Sequence, residues 1–552
     1  MLKKTLITAY LFFLVVINIC AQQTANNNST FNNGIDRPKL VVGLVVDQMR
    51  WDYLYRYFNR YGNGGFKRLL REGFSFENTF VPYASAVTAA GHTCLYTGSI
   101  PSIHGIVGND WIERDSGKAM YCAQDRSVNT VGSFSNQGQM SPKNMLVTSV
   151  GDELRLATNF KSRVLGIALK DRGGIFPAGH SANAAYWFDD STGNWISSTY
   201  YMNKLPVWVS RYNDNRKVDS LMSKDWNLLY DKSFYEQSTE DDKKYERPLY
   251  HETTTTFPHA YRSLIGKNYY PFRQSPYGNT LTIDFAENTI SNEKLGMSGQ
   301  TDMLCVSLSS TDYIGHRFGP NSLETEDTYL RLDKDIEGFL NYLDTNIGAG
   351  NYLLFLSADH GAPQVPDFMK ENKLPGGNLN ASTLKKELNE LCAGKFGVNK
   401  LVKAIYEYQV YLDNDKIDSA RLDINIIKDA IVRYLKTKRE VVNAFDYAEF
   451  DKVVMPGQKK EMFARGYFYK RSGDIQFILK PQYTDELSIG TEHGTMYAYD
   501  SHIPLLWYGW RINPGKTNRE VYMTDVAPTI SAMLKIQMPG GSVGHVLEEL
   551  VK

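Results

Sequence analysis

The chain has 552 residues, of which 42% are hydrophobic and 22% charged, and its 61 basic and 61 acidic side chains give a formal net charge of +0. The composition is ordinary for a globular protein, and the length exceeds what one hydrophobic core usually holds, so we expect one large domain with insertions or two domains. The charge balance argues against a nucleic-acid-binding protein, which normally carries a basic excess or a basic stripe.

The first 21 residues have the pattern of a secretory signal peptide. Two lysines precede an apolar run at 6–19, and a polar, Asn-rich stretch follows Ala21. The run is short for a membrane-spanning helix and suits a signal-peptide core. Cys20 offers a lipoprotein alternative, which the bulky Ile19 before it disfavours. We therefore predict cleavage near Ala21, a flexible leader at 22–36, a mature chain without a transmembrane segment, and a periplasmic or secreted location.

Apolar runs and helical patterns alternate along the rest of the chain. Five short runs rich in Val, Ile and Leu lie at 39–46, 163–169, 303–308, 352–356 and 503–508. Continuous runs of this kind are typical of strands covered on both faces, as in a parallel sheet. Helical patterns lie at 65–72, 144–157, 324–342 and 526–534. The alternation predicts an α/β fold, a three-layer α/β/α sandwich with a mostly parallel central sheet.

Two segments do not follow this alternation. Residues 181–300 are dense in Tyr, Trp, Asn and Pro and show few clear periods, which suggests a large insertion. Residues 373–485 contain charged amphipathic helices around 383–392 and 422–436, as expected of a cap or a small second domain. We predict one catalytic domain at 37–552 that carries both insertions.

Four cysteines follow the leader: Cys94, Cys122, Cys305 and Cys392. An exported protein can keep disulfides, and four cysteines allow three full pairings among which the sequence does not choose. None has CxxC spacing, which argues against a thiolate zinc site.

Polar side chains follow four of the predicted strands. They are Asp47, then Lys170 and Arg172, then Asp312, and finally Asp359 and His360. A single Asp in such a place is usually a turn or helix-cap residue. In an open parallel sheet, however, the ligand crevice lies outside the carboxyl ends of the strands, so four such ends in one chain favour a common site. His316, four residues after Asp312, and His493, in the stretch 491–495, are further candidates.

These residue types indicate a metal centre. Asp and His together are ligands of zinc and its neighbours, whereas magnesium and calcium prefer all-oxygen sites. Three Asp and two or three His without Cys suit a pair of zinc ions. Paired metals recur in phosphoryl transfer, where one activates the attacking oxygen and the other stabilises the leaving oxygen.

The nucleophile is expected in the segment 81–111, which offers the hydroxyls of Ser85, Thr88, Thr93 and Thr97. Thr88 begins a predicted helix at 88–95, and backbone N–H groups at a helix N-terminus favour an oxyanion and a bound phosphate. The competing interpretation of Thr88 is a structural N-cap.

The sequence resembles the alkaline phosphatase superfamily and, more narrowly, the PafA-type periplasmic alkaline phosphatases, which hydrolyse phosphate monoesters with a Thr nucleophile. The motifs run in the order of that family from about residue 38 to the C-terminus. They include TAAGHT at 88–93, PSIHGIVGNDW at 101–111, ALKDR at 168–172, STDYIGHRFGPNS at 310–322, SADHG at 357–361, TEHGT at 491–495 and YDSHIPLL at 499–506.

The resemblance implies two zinc ions per chain and a role for each site residue. One ion would be held by Asp47, Thr88, Asp359 and His360, and the other by Asp312, His316 and His493. Thr88 would attack phosphorus and form a phosphothreonine, which water then hydrolyses to inorganic phosphate. Asn109, Lys170 and Arg172 would bind the phosphate oxygens. His92, His104 and His502, close to these motifs, are expected to be structural or to support the ligands.

The Lys-x-Arg pair indicates the substrate class. Two cations aimed at the phosphate favour a monoester dianion over a diester, so we expect small phosphate monoesters as substrates, no nucleic-acid partner and a monomer. The alternatives are a phosphodiesterase or nucleotide pyrophosphatase of the same superfamily, and a binding protein that keeps the scaffold without catalysis. Sulfatases are disfavoured because the C/S-x-P-x-R motif is missing at 88–92.

Overall fold

The structure is a computed structural model that describes residues 35–485 and 489–551. The predicted signal peptide and leader lie outside the described residues, except for Ile35 and Asp36. Across the described ranges, no helix is both long and apolar enough to cross a membrane.

A large sheet forms the centre of the molecule. Its eleven strands in the described chain are, in spatial order, His502–Ile503, Phe74–Phe80, Leu505–Gly509, Tyr352–Ser357, Leu40–Val46, Asp302–Leu308, Val164–Ala168, Ala184–Asp189, Asn194–Ser198 and Thr130–Val131, with Gly515–Tyr522 paired to Phe74–Phe80. The five strands from Tyr352–Ser357 to Ala184–Asp189 are parallel to their neighbours, and antiparallel strands flank them on both sides. The predicted α/β class with a mostly parallel centre is confirmed.

The central strands are apolar because they are covered on both faces. Every residue of Leu40–Val46, Asp302–Leu308 and Tyr352–Ser357 is buried. The α-helices are Tyr53–Arg56, Phe66–Glu72, Thr88–Thr97, Pro101–His104, Val150–Ala157, Asp171–Ala178, Val207–Asp214, Lys217–Met222, Tyr277–Glu293, Ser310–Phe318, Leu323–Leu343, Pro366–Glu371, Ala381–Phe396, Asn414–Ser419, Ile424–Leu435, Gly457–Gly466, Ala498–Ser501 and Val526–Leu534. Short 3₁₀ and π turns occur between them.

Two predicted elements differ from the observed ones. The run at 503–508 is interrupted at Pro504, which has no N–H to give to a ladder, and its second part, Leu505–Gly509, runs antiparallel to Tyr352–Ser357. The helix predicted at 144–157 begins only at Val150. Ser149 caps it there, because its side chain and that of Asp152 exchange hydrogen bonds with the backbone in a capping box.

The first segment expected as an insertion, 181–300, contains regular parts of the sandwich. Two of its strands belong to the large sheet, and helix Tyr277–Glu293 packs beside Asp302–Leu308. Between 199 and 276 the described chain forms short helices, turns and an isolated antiparallel bridge between Trp226 and His259.

The second segment, 373–485, contains a sheet of its own. Its four strands are Val402–Tyr406, Gln409–Leu412, Ile475–Leu479 and Val441–Asp446, and helices Ala381–Phe396 and Ile424–Leu435 cover it. Buried side chains such as Leu388, Val410 and Phe477 form a separate hydrophobic cluster there. The described chain also has two two-stranded sheets. One pairs Asp110–Glu113 with Lys118–Tyr121, and the other pairs Gly377–Asn378 with Tyr483–Thr484.

Candidate functional site

Three neighbouring strands of the large sheet end at one place. Leu40–Val46 lies between Asp302–Leu308 and Tyr352–Ser357, and all three run in the same direction. Asp47 directly follows the middle strand. The adjoining strands lead to Asp312 and to Asp359 with His360. The parallel register therefore brings together side chains that are distant in sequence, as the strand-end pattern predicts.

Six of these candidate ligands form two groups of three. Asp47, Asp359 and His360 make up one group, and Asp312, His316 and His493 the other. Within each group the ligand atoms lie within 4.8 Å of one another. The rings of His360 and His493 stack with their centroids 3.6 Å apart, so the two groups adjoin.

The three histidines present the same nitrogen to the carboxylates. Each ring Nδ1 lies against a backbone carbonyl: His316 on Thr491 at 2.8 Å, His360 on Gly361 at 3.0 Å and His493 on Ala86 at 2.8 Å. A carbonyl accepts only, so Nδ1 carries the proton and Nε2 is available as a ligand atom. Nε2 of His316 lies 3.2 Å from Asp312 Oδ1, and Nε2 of His360 lies 3.3 Å from Asp359 Oδ2.

Several buried atoms of the first group have no hydrogen-bond partner in the described chain. They are Oδ1 of Asp47, Oδ2 of Asp359 and Nε2 of His360, whereas Oδ2 of Asp47 has the Lys170 ammonium nitrogen 2.8 Å away. Leaving such atoms without a hydrogen bond is costly, because water cannot reach them. A cation would satisfy all three. Carboxylate oxygen with imidazole nitrogen, and no sulfur, is a donor set that fits zinc and related metals.

The pKa shifts within the group of Asp47, Asp359 and His360 also favour the binding of a cation there. Burial, reinforced by the nearby Asp359, raises the pKa of Asp47 well above its usual range even though Lys170 acts against the shift. Burial lowers the pKa of His360 to about 3, so its ring is neutral near pH 7. A neutral imidazole beside crowded carboxylates is the form in which these residues bind a metal ion.

The Lys170 ammonium group lies between the two groups. Its Nζ is 2.8 Å from Asp47 Oδ2 and 2.5 Å from Asp312 Oδ2. It is also 3.3 Å from the Oγ1 atom of Thr88. Burial alone would lower the pKa of Lys170, but Asp312 and Asp47 outweigh that effect and raise it. One buried cation thus contacts a carboxylate of each group and the proposed nucleophile.

Thr88 is the first residue of helix Thr88–Thr97, and Val87, in an extended conformation, occupies the N-cap position. The alternative of Thr88 as the cap is therefore wrong. The next residue, Ala89, donates its backbone N–H to Oδ1 of Asn109 at 3.1 Å. The carbonyl end of the Asn109 amide is thus fixed beside the start of the helix.

Arg172 lies in the first turn of helix Asp171–Ala178. One of its terminal nitrogens donates to the hydroxyl of Tyr121 at 3.1 Å, and this hydroxyl in turn donates to Asp171. The buried Nε of Arg172 has no hydrogen-bond partner in the described residues. Tyr121, which the sequence does not single out, therefore fixes the guanidinium group.

A second residue missed from the sequence is Gln48. Its side chain donates to Asp312 Oδ1 at 2.9 Å and its backbone N–H to Asp359 Oδ1 at 3.1 Å, so it links the two groups. It adopts φ 64, which is unusual for a residue other than glycine. A Cβ atom on Gly315 would lie 1.9 Å from Gln48 Oε1. The only sequence signal is its position after Asp47.

His92 supports the centre as expected. Its Nδ1 lies 2.9 Å from the carbonyl oxygen of Thr88 and 3.2 Å from Asp359 Oδ2, and its Nε2 lies 2.8 Å from Ser307 Oγ. The four cysteines after the leader are buried and unpaired with one another.

The sequence pattern of the type I phosphodiesterase / nucleotide pyrophosphatase family matches residues 41–500. The chain is 50% identical over 551 residues to alkaline phosphatase PhoV of Synechococcus elongatus, with 100% of both chains covered. It is 49% identical to a protein of Myroides odoratus named calcium-transporting ATPase, over 100% of this chain and 99% of the other.

The structure is similar to the crystal structure of wild-type alkaline phosphatase PafA, with a TM-score of 0.92 and 46% identity, covering 94% of this chain and 100% of that one. A second crystal structure of PafA carries substitutions of one Thr, one Asn, one Lys and one Arg, in that order along its chain.

Proposed function

The chain belongs to the type I phosphodiesterase / nucleotide pyrophosphatase family and is an alkaline phosphatase of the PafA type, and we propose that it is an exported, zinc-dependent enzyme that hydrolyses phosphate monoesters through a phosphothreonine at Thr88. The observation that carries the proposal is the Lys170 ammonium group, which lies within 3.3 Å of the Thr88 hydroxyl and between two groups of metal-ligating side chains.

Two zinc ions per chain would be held by the two groups. Asp47, Asp359 and His360, with Thr88, would hold one ion, and Asp312, His316 and His493 the other. Bound there, the ions would supply Lewis-acid stabilisation of the attacking and leaving oxygens.

Thr88 would attack phosphorus. It is buried, it begins a helix, and the neighbouring N–H groups of that helix favour the negative charge that develops on a transferring phosphoryl group. Its Oγ would form the new bond to phosphorus as the ester oxygen leaves, and water would later release inorganic phosphate and restore the hydroxyl.

Three side chains would hold the oxygens of the phosphoryl group. Lys170 acts as a compact charge beside Thr88, whereas the planar Arg172 can donate to two oxygens at once. The carbonyl end of the Asn109 amide is bonded to the N–H of Ala89, so its NH₂ group is the end that would donate to a phosphate oxygen. The order Thr88, Asn109, Lys170 and Arg172 matches the order of the four residue types substituted in PafA.

The two cations favour the monoester. A monoester dianion has one more charged oxygen than a diester, so both cations find a charged partner only on the monoester. A diesterase remains the second candidate, because the matched family pattern is named for phosphodiesterases.

One assay separates the two candidates. Wild-type enzyme and the double variant Lys170→Ala/Arg172→Ala should be compared on a phosphate monoester and a diester that have the same aryl leaving group. We expect a monoester preference in the wild type, and a loss in kcat/KM that is far larger for the monoester than for the diester. A wild-type preference for the diester would contradict the proposal.

Export rests on the pattern at 1–21 and would place the enzyme in the periplasm or outside the cell. We propose that the mature chain acts as a monomer on small phosphate esters. N-terminal sequencing of the protein recovered from a periplasmic extract, together with its mass in solution, tests both statements.

A further inference from the structure

Helix Ser310–Phe318 carries two candidate metal ligands on one face and two further polar side chains on a second face. Asp312 and His316 are spaced i, i+4 on helix Ser310–Phe318, and Tyr313 and Arg317 repeat that spacing one residue later. The inserted segment before residue 276 docks on this second face. Arg317 donates from its side chain to the carbonyl of Pro248, and its own carbonyl accepts from the N–H of Arg247 at 2.8 Å.

Tyr313 is held rigidly next to the reaction centre. The Lys170 ammonium nitrogen lies 5.0 Å from the centroid of its ring. Arg273 lies over the same ring at 5.8 Å and donates to the Tyr313 hydroxyl at 3.2 Å. Arg273 is itself buried and donates to the carbonyls of Leu169 and Phe188, each at 2.9 Å. The ring is therefore fixed before any substrate binds.

Two further tyrosines extend from Tyr313 to the surface. The ring of Tyr270 is 6.1 Å from that of Tyr313 at an angle of 85°, and the ring of Tyr250 is 6.5 Å from that of Tyr270 at 80°. Exposure rises outward, to 36% for Tyr270 and 69% for Tyr250. Tyr270 begins the short 3₁₀ helix Tyr270–Gln274, whose next residues are buried, so its ring position is also fixed by the fold.

None of the three tyrosines belongs to the hydrophobic clusters of the described chain. Edge-to-face spacing at these distances leaves ring faces and edges able to contact a further planar ring. Tyrosines also lose little conformational entropy when they contact a ligand.

We propose that Tyr313, Tyr270 and Tyr250 form an aromatic subsite that receives planar aromatic leaving groups of phosphate monoesters. The inference rests on the proposed function. Because Thr88 belongs with the group of Asp47, Asp359 and His360, an ester oxygen displaced in line with its attack would depart on the side of Asp312, His316 and His493. Of the three rings, that of Tyr313 lies beside the reaction centre, 5.0 Å from the Lys170 ammonium nitrogen, so a departing group would meet it first and then Tyr270 and Tyr250.

Benzyl phosphate and cyclohexylmethyl phosphate test the subsite, because their leaving groups differ in the ring and hardly in size or ester chemistry. The zinc-loaded enzyme and the variants Tyr250→Ala, Tyr270→Leu and Tyr270→Phe should be compared by kcat/KM on both. We expect Tyr270→Leu and Tyr250→Ala to lose about two- to tenfold on benzyl phosphate and little on the saturated ester, the range of an aromatic pair contact. Tyr270→Phe should retain the wild-type ratio, since the ring and not the hydroxyl is required.

Tyr469→Ala is the matched control. The exposed fraction of Tyr469 is 66%, similar to that of Tyr250, and Tyr469 belongs to the separate segment 373–485. It should leave both substrates unaffected. If Tyr270→Leu lowered kcat/KM equally on the two esters, or on neither, the aromatic subsite would be overturned. The proposed phosphatase activity would be unaffected by that result. A wild-type enzyme without activity on either ester would instead overturn the proposed function, and the subsite with it.

Discussion

Replacing Gly91 by alanine should destabilise the protein, although alanine is the better helix former. Gly91 lies inside helix Thr88–Thr97, where exchange of glycine for alanine ordinarily stabilises by about 0.5–1 kcal/mol. A Cβ atom at this position would lie 2.4 Å from the carbonyl oxygen of Asp359 and 2.7 Å from its Cβ. Ordinary contacts begin near 3.4 Å, so the helix would have to move away from the strand end by about 1 Å.

The steric cost should exceed the gain in helix propensity. Overpacking a buried contact costs about 1–3 kcal/mol, and the upper part of that range applies because the nearest atom, the carbonyl oxygen of Asp359, belongs to the main chain. The net destabilisation is then about 1–2 kcal/mol. The same displacement separates Thr88, on the helix, from Asp359, so binding of metal should weaken as well.

Chemical denaturation of the metal-free protein measures the first effect, and competition for zinc with a chromophoric chelator measures the second. Gly338→Ala is the matched control, because Gly338 lies inside helix Leu323–Leu343 and a Cβ there meets nothing within 4 Å. That variant should be more stable than the wild type and bind zinc equally well. If Gly91→Ala proved as stable as Gly338→Ala, the close approach of the helix to Asp359 would not be a constraint on this fold.

Three more outcomes are expected. Thr88→Ala should lower kcat at least about a thousandfold, whereas Thr88→Ser should keep measurable turnover and still trap phosphate on the enzyme. Removing metal with a chelator should abolish activity and lower the melting temperature. The decrease in melting temperature should be smaller in Asp47→Asn, because that variant has one buried carboxylate fewer to neutralise. Burial alone would lower the pKa of His259, but Glu252 and Glu324 outweigh it and raise the pKa to about 9. Because this folded-state pKa lies above the unfolded value near 6.5, the stabilisation is complete below pH 6.5 and is lost as the pH rises through about 9. It amounts to at most about 3 kcal/mol, and His259→Gln should flatten that part of the stability profile measured by denaturation at several pH values.

The strand ends were predictable because their signal is local. A buried parallel strand must be apolar throughout, so Asp47 and Asp359 stand out immediately after such runs, and the parallel direction of neighbouring strands brings them together. Lys170 follows the same rule. The sequence therefore predicted the mostly parallel central sheet, and it predicted that the side chains after its strands lie close together, without any knowledge of distant contacts.

Other contacts depend on distances that no local pattern encodes. Gln48 and Tyr121 acquire their partners only when separate elements pack, and a Gln after a strand or a Tyr in a short hairpin has no distinctive sequence environment. The interrupted strand at Pro504 and the late start of the helix at Val150 are a different case. The sequence shows the proline and the capping box, but the apolar pattern continues across each of them and suggested one longer element.

The arrangement of charges links metal binding to folding. Folding moves the carboxylates of Asp47, Asp312 and Asp359 out of water to nearly complete burial, and the ammonium group of Lys170 contacts two of them. Its single charge cannot neutralise three carboxylates. Burial, reinforced by Asp359, raises the pKa of Asp47 well above its usual range. Burial alone would also raise the pKa of Asp312, but His316 and Lys170 outweigh it and hold that pKa well below its usual range. Metal ions bound to the folded site would remove the remaining repulsion, and only the folded chain offers that site. The binding free energy of the metals therefore becomes part of the stability of the sheet that assembles them.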